Sequence, residues 1–246
     1  MNKLKPLPEE WSGLLNNEQK EAIENINGPL LIIAGAGSGK TRVLTYRYAH
    51  LIKTYGINFE NVLAITFTNK AANEMKDRIS DLLNLELSPK WISTFHSLCV
   101  KMLRIHGHLI GFNNNFTIYD QSDSTKLVRN CMRDSDIDTK QYSPKRIQAH
   151  ISSLKNQRIL PGEAVEFAQS FFDVKVAEIY SSYQKKLMLA NSMDFDDLLI
   201  KAVELLETSD KSLNYWSSKF QYIMIDEYQD TNICLLYTSD AADDTT

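Results

Sequence analysis

Residues 34–41 constrain the fold of this chain more than any other stretch. They read Ala34-Gly35-Ala36-Gly37-Ser38-Gly39-Lys40-Thr41. An apolar run, Pro29-Leu30-Leu31-Ile32-Ile33, precedes them, and a helical pattern beginning Arg42-Val43-Leu44-Thr45-Tyr46 follows. Strand, glycine-rich turn and helix, in that order, make a phosphate-binding loop. Glycines let successive backbone N–H groups turn inward around an anion, and the helix N-terminus adds its partial positive charge. In such a loop Lys40 reaches the β- and γ-phosphates, and the Thr41 hydroxyl sits on Mg²⁺. The pattern predicts a nucleoside triphosphate site.

The common form of this loop opens on glycine, whereas this chain has Ala34. The change is tolerable if residue 34 needs no positive φ. The rival dinucleotide pattern, G-x-G-x-x-G, begins at Gly35 and Gly37 but puts Lys40 where its third glycine belongs. A glycine-rich turn that binds nothing is the plainer reading, and Gly-Lys-Thr after an apolar strand speaks against it.

With 246 residues and 43% hydrophobic content, the chain can hold one large domain or two small ones around a real core. No apolar run approaches a membrane span, and the N-terminus lacks the apolar stretch of a signal peptide. Cys99, Cys131 and Cys234 have no metal-binding spacing and read as reduced thiols of a cytosolic protein. A net charge of −4 argues against binding to nucleic acid through overall charge. Locally, residues 124–160 carry Lys126, Arg129, Arg133, Lys140, Lys145, Arg146, Lys155 and Arg158 against Asp134, Asp136 and Asp138. A solvated helical face and a nucleic-acid track both fit that stretch.

Three further segments read as buried parallel strands: 61–68, 91–95 and 222–226. Helical patterns at 41–54, 70–83 and 97–106 alternate with the first of them, which predicts a doubly wound α/β layer. From about 116 to 192 the pattern becomes helical only, at 123–134, 144–156 and 173–189, punctuated by Pro144 and Pro161-Gly162. The expected organisation is a first α/β part over 1–115, an all-helical insertion over 116–192, and a return to the α/β part over 193–232. Within that return, Ile223-Met224-Ile225-Asp226-Glu227 is an apolar strand ending in two acids. Asp226 is assigned to the metal and Glu227 to the attacking water.

At this point a resemblance becomes specific. Asp226-Glu227-Tyr228-Gln229-Asp230 resembles motif II of superfamily 1 DNA helicases of the UvrD/Rep/PcrA type. Ala34–Thr41 is similar to motif I, and Leu15-Asn16-Asn17-Glu18-Gln19 to the Q-motif, which implies that Gln19 reads the adenine edge. Arg42 matches a residue packing near the base. Ile65-Thr66-Phe67-Thr68-Asn69-Lys70-Ala71-Ala72 resembles motif Ia, Trp91-Ile92-Ser93-Thr94-Phe95-His96-Ser97 the next DNA-contacting motif, and Asp194-Phe195-Asp196-Asp197-Leu198 a further one. Six motifs in order cover residues 15 to about 232.

The resemblance implies a RecA-like P-loop NTPase parallel sheet with an all-helical inserted subdomain. It also implies ATP and Mg²⁺ as cofactors, and ATP-driven 3′-to-5′ movement on single-stranded DNA up to a junction with duplex. The setting it implies is the cytoplasm, at the nucleoid, in repair or replication restart. Nucleotide-contacting residues would be Gln19, Ala34, Gly35, Ala36, Gly37, Ser38, Gly39, Lys40, Thr41 and Arg42. Phe67 would stack on a base, and Thr66, Asn69, Lys70, Thr94 and His96 would line the strand's backbone, the mix of aromatics, hydroxyls and amines that single strands need. For Phe95, core packing is an equal alternative. Asp194-Phe195-Asp196-Asp197 reads first as helix N-capping, not as a metal cluster. The rivals are the motor part of a helicase–nuclease subunit, a nucleotide-binding module without motor activity and a P-loop small-molecule kinase.

The family continues past Asn232 with a helix, whereas Cys234 to Asp243 is similar to a translated sequencing adapter. Residues 233–246 are therefore expected to be an artefact at the end of a truncated chain. A second RecA-like domain, with arginine fingers and an adenine-stacking tyrosine, is expected to be missing. Such a finger contributes roughly 10³–10⁵ in rate, so the chain alone is expected to be inactive.

Overall fold

A computed structural model describes residues 4–86 and 89–230. The expected artefactual tail lies outside them. Two compact units emerge. The first holds the residues up to Leu98 together with Tyr215–Asp230, and the second holds Cys99–Asn214. The second unit thus takes in segments on both sides of 116–192.

The first unit contains helices α1 (Glu9–Ser12), α2 (Asn17–Glu24), α3 (Lys40–Lys53) and α4 (Asn69–Leu83), strands β1 (Val62–Thr66) and β2 (Ile92–Thr94), and the first residues of α5 (Phe95–His106). The second unit begins within α5 and continues through β3 (Thr117–Tyr119), α6 (Gln121–Asp134), α7 (Pro144–Asn156), α8 (Phe171–Leu189), β4 (Ser192–Asp194), α9 (Phe195–Thr208) and the start of α10 (Asp210–Lys219). The chain then returns to the first unit with β5 (Tyr222–Ile225) and a 3-10 turn at Tyr228–Asp230.

The first unit's sheet has the order β2-β1-β5, with both pairings parallel. Every residue of β1 is buried, as expected of a central strand covered on both faces. Its core joins Val62, Ala64, Ile92 and Met224 of the strands to Tyr48 and Leu51 of α3 and Met75 and Ile79 of α4. Those helical positions recur at three- and four-residue spacing, so each helix presents one apolar stripe to the sheet. A second face of α3, through Val43, Tyr46 and Ala49, packs with Leu7, Trp11, Leu15 and Ile23. The Asp226 N–H donates to the Ile65 carbonyl at 2.8 Å, which extends the β1–β5 ladder and places the acid at the strand ends.

One expectation fails here. The apolar run Pro29–Ile33 forms no strand; Leu31 is 68% and Ile33 88% exposed. β-structure needs a hydrogen-bonded neighbour, and no described strand pairs with this run. Among the described residues β5 correspondingly pairs on one side only, with Ile223 partly exposed.

The second unit is built on α6, α7 and α8. Val128, Cys131 and Met132 of α6 meet Ile147 and Ile151 of α7 and Val176, Ile179, Tyr180, Tyr183 and Leu187 of α8. The expectation of helices alone in this stretch needs correction: β3 and β4 form a two-stranded parallel pair, with Thr117 opposite Ser192 and Tyr119 opposite Asp194. Strands of three residues are too short to show an alternating pattern, and only pairing across the fold defines them. Cys99 and Cys131 are both buried, and neither is in a disulfide among the described residues.

Candidate functional site

The loop at 34–41 is held by its own backbone and by α2. The Ser38 N–H and hydroxyl both donate to the Gly35 carbonyl, at 3.3 and 2.7 Å. Gly37 and Gly39 have φ of 76° and 92°, conformations that side-chain-bearing residues avoid. Ala34 is not among the residues with positive φ, so its departure from glycine carries no backbone strain. Gly39 caps α3, and the Val43 N–H donates to its carbonyl at 2.9 Å.

Gln19 closes a capping box with Asn16 at the start of α2: the Gln19 N–H donates to Asn16 Oδ1 and Gln19 Oε1 accepts from the Asn16 N–H. Its Nε2 donates to the Ser38 carbonyl at 3.0 Å. A Cβ at residue 39 would lie 2.9 Å from that Nε2. The long Gln19 side chain can yield, so the left-handed φ dominates the penalty. Gly39→Ala is expected to destabilise the loop by about 1–2 kcal/mol and to weaken binding of a fluorescent ATP analogue; unchanged affinity and melting temperature would show that the loop tolerates the side chain.

Lys40 Nζ donates to the carbonyls of Ala34 and Gly35 at 3.0 and 3.2 Å, which folds the cation over the loop. Thr41 Oγ1 donates to Asp226 Oδ2 at 3.0 Å, across 185 positions of sequence. This contact joins the loop to the end of β5. A hydroxyl and a carboxylate side by side at a helix N-terminus are hard oxygen donors, the type that suits Mg²⁺ alongside phosphate oxygens and water. Glu227 follows with φ 54°, left-handed and unusual for a residue with a side chain, and its carboxylate is exposed. Arg42 lies 5.6 Å from the Tyr46 ring centroid, and Tyr46 in turn packs edge-on to Trp11.

A cavity of about 430 Å³ runs beside this centre. Thr41, Asp226 and Glu227 line one part of it, and Thr66, Phe67, Thr68, Ala71, Glu74, Met75 and Arg78 line the rest. The residues expected on the strand side divide into two groups. Phe67 is 60% exposed, Asn69 is exposed, and Lys70 is exposed with Glu74 as a 4.0 Å ion-pair partner. Thr66 and Thr94 are instead buried. The Thr66 hydroxyl donates to the Thr68 carbonyl at 3.0 Å, and Thr94 Oγ1 donates to Ser97 Oγ at 2.9 Å while accepting from the Ser97 N–H. In this structure both hydroxyls brace the strand ends, and Thr66 also borders the cavity. His96 is partly buried, and burial pushes its imidazole below the usual pKa. Phe95 is buried, which settles its two readings in favour of the core.

Asp194 and Asp197 form a capping box on α9, as the reading of Asp194–Asp197 expects. What sequence reasoning missed is their cation. Lys155 Nζ, with a wholly buried side chain, donates to Asp194 Oδ2 and Asp197 Oδ1, both at 2.7 Å. The Tyr183 hydroxyl donates to Asp194 at 2.8 Å and Gln184 Nε2 to Asp197 at 3.0 Å. Lys155 belonged to the apparent basic stretch, and so did Lys126 and Arg158, which pair with Asp123 and Glu207. No signal short of the fold separates a buried lysine from its exposed neighbours.

The parallel sheet, the glycine loop on α3 and the acids at the end of β5 define a RecA-like P-loop α/β domain. Residues 15–237 match the family described as the UvrD/REP helicase N-terminal domain, and the chain belongs to that family. Over 218 residues it is 46% identical to the ATP-dependent DNA helicase PcrA of Staphylococcus aureus strain Mu50 and to that of Staphylococcus epidermidis strain RP62A. The alignment covers 89% of this chain and 30% of each relative, so the chain spans under a third of their length.

Proposed function

We propose that the full-length protein is an ATP-dependent DNA helicase that moves 3′ to 5′ along single-stranded DNA and opens a junction with duplex. Cytoplasmic DNA repair or replication restart is the role that suits it. The observation carrying this reading is the 3.0 Å contact between Thr41 and Asp226, with exposed Phe67 on the same cavity. Lys40 would hold the β- and γ-phosphates, Thr41 and Asp226 would hold Mg²⁺, and Glu227 would take a proton from the attacking water. Bound Mg²⁺ would neutralise charge developing on the phosphate oxygens. Gln19 and Arg42 flank the adenine end.

On the DNA side Phe67 offers a face to a base, with Asn69, Lys70 and His96 beside the backbone. Neither a small-molecule kinase nor an inert glycine turn accounts for an exposed aromatic at a strand's carboxyl end, where ligands of such sheets bind. Phe67→Ala in the full-length protein is expected to weaken single-strand affinity by about 1–3 kcal/mol. Fluorescence anisotropy with a labelled oligonucleotide measures it, and wild-type affinity would remove Phe67 from the track.

A further inference from the structure

We propose that Gln229 is a positioning residue for the Glu227 carboxylate; the inference rests on Glu227 acting as the base. Three observations converge. Glu227 stands in the left-handed region at φ 54°, which costs energy that the surrounding structure must sustain. The 3-10 turn at Tyr228–Asp230 follows at once and brings the Gln229 side chain back over it. Gln229 Nε2 donates to Glu227 Oε2 at 2.5 Å.

Among the described residues, this is the one hydrogen bond recorded at the Glu227 carboxylate. Oε2 is thereby tethered and Oε1 left open. A glutamate carboxylate on three free torsions samples many directions, and a base works only from within hydrogen-bond reach of the proton it removes. The amide tether narrows that search. In the step it serves, the water oxygen bonds to the γ-phosphorus while the bond from that phosphorus to the β–γ bridging oxygen breaks. The water proton passes to Oε1, and ADP and inorganic phosphate leave. Gln229 neither gains nor loses a proton; it aims the acceptor. An amide suits this role because it donates to a carboxylate and stays uncharged at every working pH.

The test uses the full-length protein with single-stranded DNA, and reads ATP turnover by phosphate release and nucleotide affinity with a fluorescent ATP analogue. Gln229→Ala removes the donor, and Gln229→Glu keeps the shape but cannot donate when ionised. Both variants are expected to lower kcat about tenfold while KM for ATP and nucleotide affinity stay at wild-type values. A merely structural role would move kcat and KM together and be rescued by the shape-matched Glu; either result overturns the proposal. Glu227→Gln separates the two levels of inference. If that variant is inactive while Gln229→Ala turns over normally, the positioning role alone fails. If Glu227→Gln keeps its turnover, the reading of the base fails, and the proposal with it.

Discussion

Replacing Lys155 with alanine is expected to lower the stability of the second unit by about 3–5 kcal/mol, because it leaves two buried carboxylates facing each other without their cation. The side chain is wholly buried, and it ties α7 to the capping box of α9, while Tyr183 and Gln184 add donors from α8. Asp194 and Asp197 each accept from Lys155 and from a neighbour. A midpoint shift in urea, followed by circular dichroism, measures the loss. Lys155→Met combined with Asp194→Asn and Asp197→Asn should recover much of it, since an uncharged, well-packed replacement removes the desolvation penalty along with the attraction. If Lys155→Ala melts with the wild type, the network contributes nothing.

The same network sets an acid limit. Lys155 beside Asp194 holds that carboxyl below its usual range, against the opposing effect of burial. A depressed folded pKa contributes stability that is complete above the unfolded value, near ~3.9, and is lost as pH falls through the folded one. Asp197 has the opposite sign, because burial pushes its carboxyl up; it resists ionisation in the native state and erodes part of the gain. Lys155 itself is raised by the two aspartates despite burial, so its contribution persists until pH exceeds ~10.4, the ordinary lysine value. Asp194→Asn should therefore flatten the fall of stability below about pH 4. An unchanged acid slope would place the acid sensitivity elsewhere.

Lys40→Ala is expected to reduce DNA-stimulated ATP turnover of the full-length protein by about 10²–10³-fold, the loss that follows removal of one preorganised electrostatic contact to a developing charge. Lys40 opens α3 directly after the left-handed Gly39, and its ammonium turns back over the loop carbonyls of Ala34 and Gly35. A triphosphate offers that cation stronger acceptors in the same concavity. Lys40→Arg keeps the charge but replaces a compact ammonium with a broad planar fork, so it is expected to rescue little. Phosphate release on single-stranded DNA is the measurement, and turnover surviving in the alanine variant would refute the site assignment.

Much of this was legible along the chain because the relevant signals are local. Helices expected at 41–54, 70–83, 144–156 and 173–189 fall within two residues of α3, α4, α7 and α8, since an apolar stripe of period 3.6 is a property of neighbouring residues. The glycine loop was equally legible, because positive φ at Gly37 and Gly39 follows from a missing Cβ. The apolar run at 29–33 misled: its composition suits a strand, yet pairing depends on a partner that composition does not supply. β3 and β4 were invisible for the converse reason, being too short for periodicity and defined wholly by each other.

The residue types proposed for a nucleotide centre, and their order, were legible in the sequence alone, because that chemistry demands small residues, one lysine, one hydroxyl and two acids whatever surrounds them. The tertiary structure decided which side chains meet. It brought Thr41 to Asp226 across 185 positions and turned Phe67 outward. It buried the hydroxyls of Thr66 and Thr94 and drew Lys155 from a basic stretch into a pair of aspartates. Burial and long-range contact are properties of packing, and packing depends on residues far apart in sequence, beyond the reach of any local pattern.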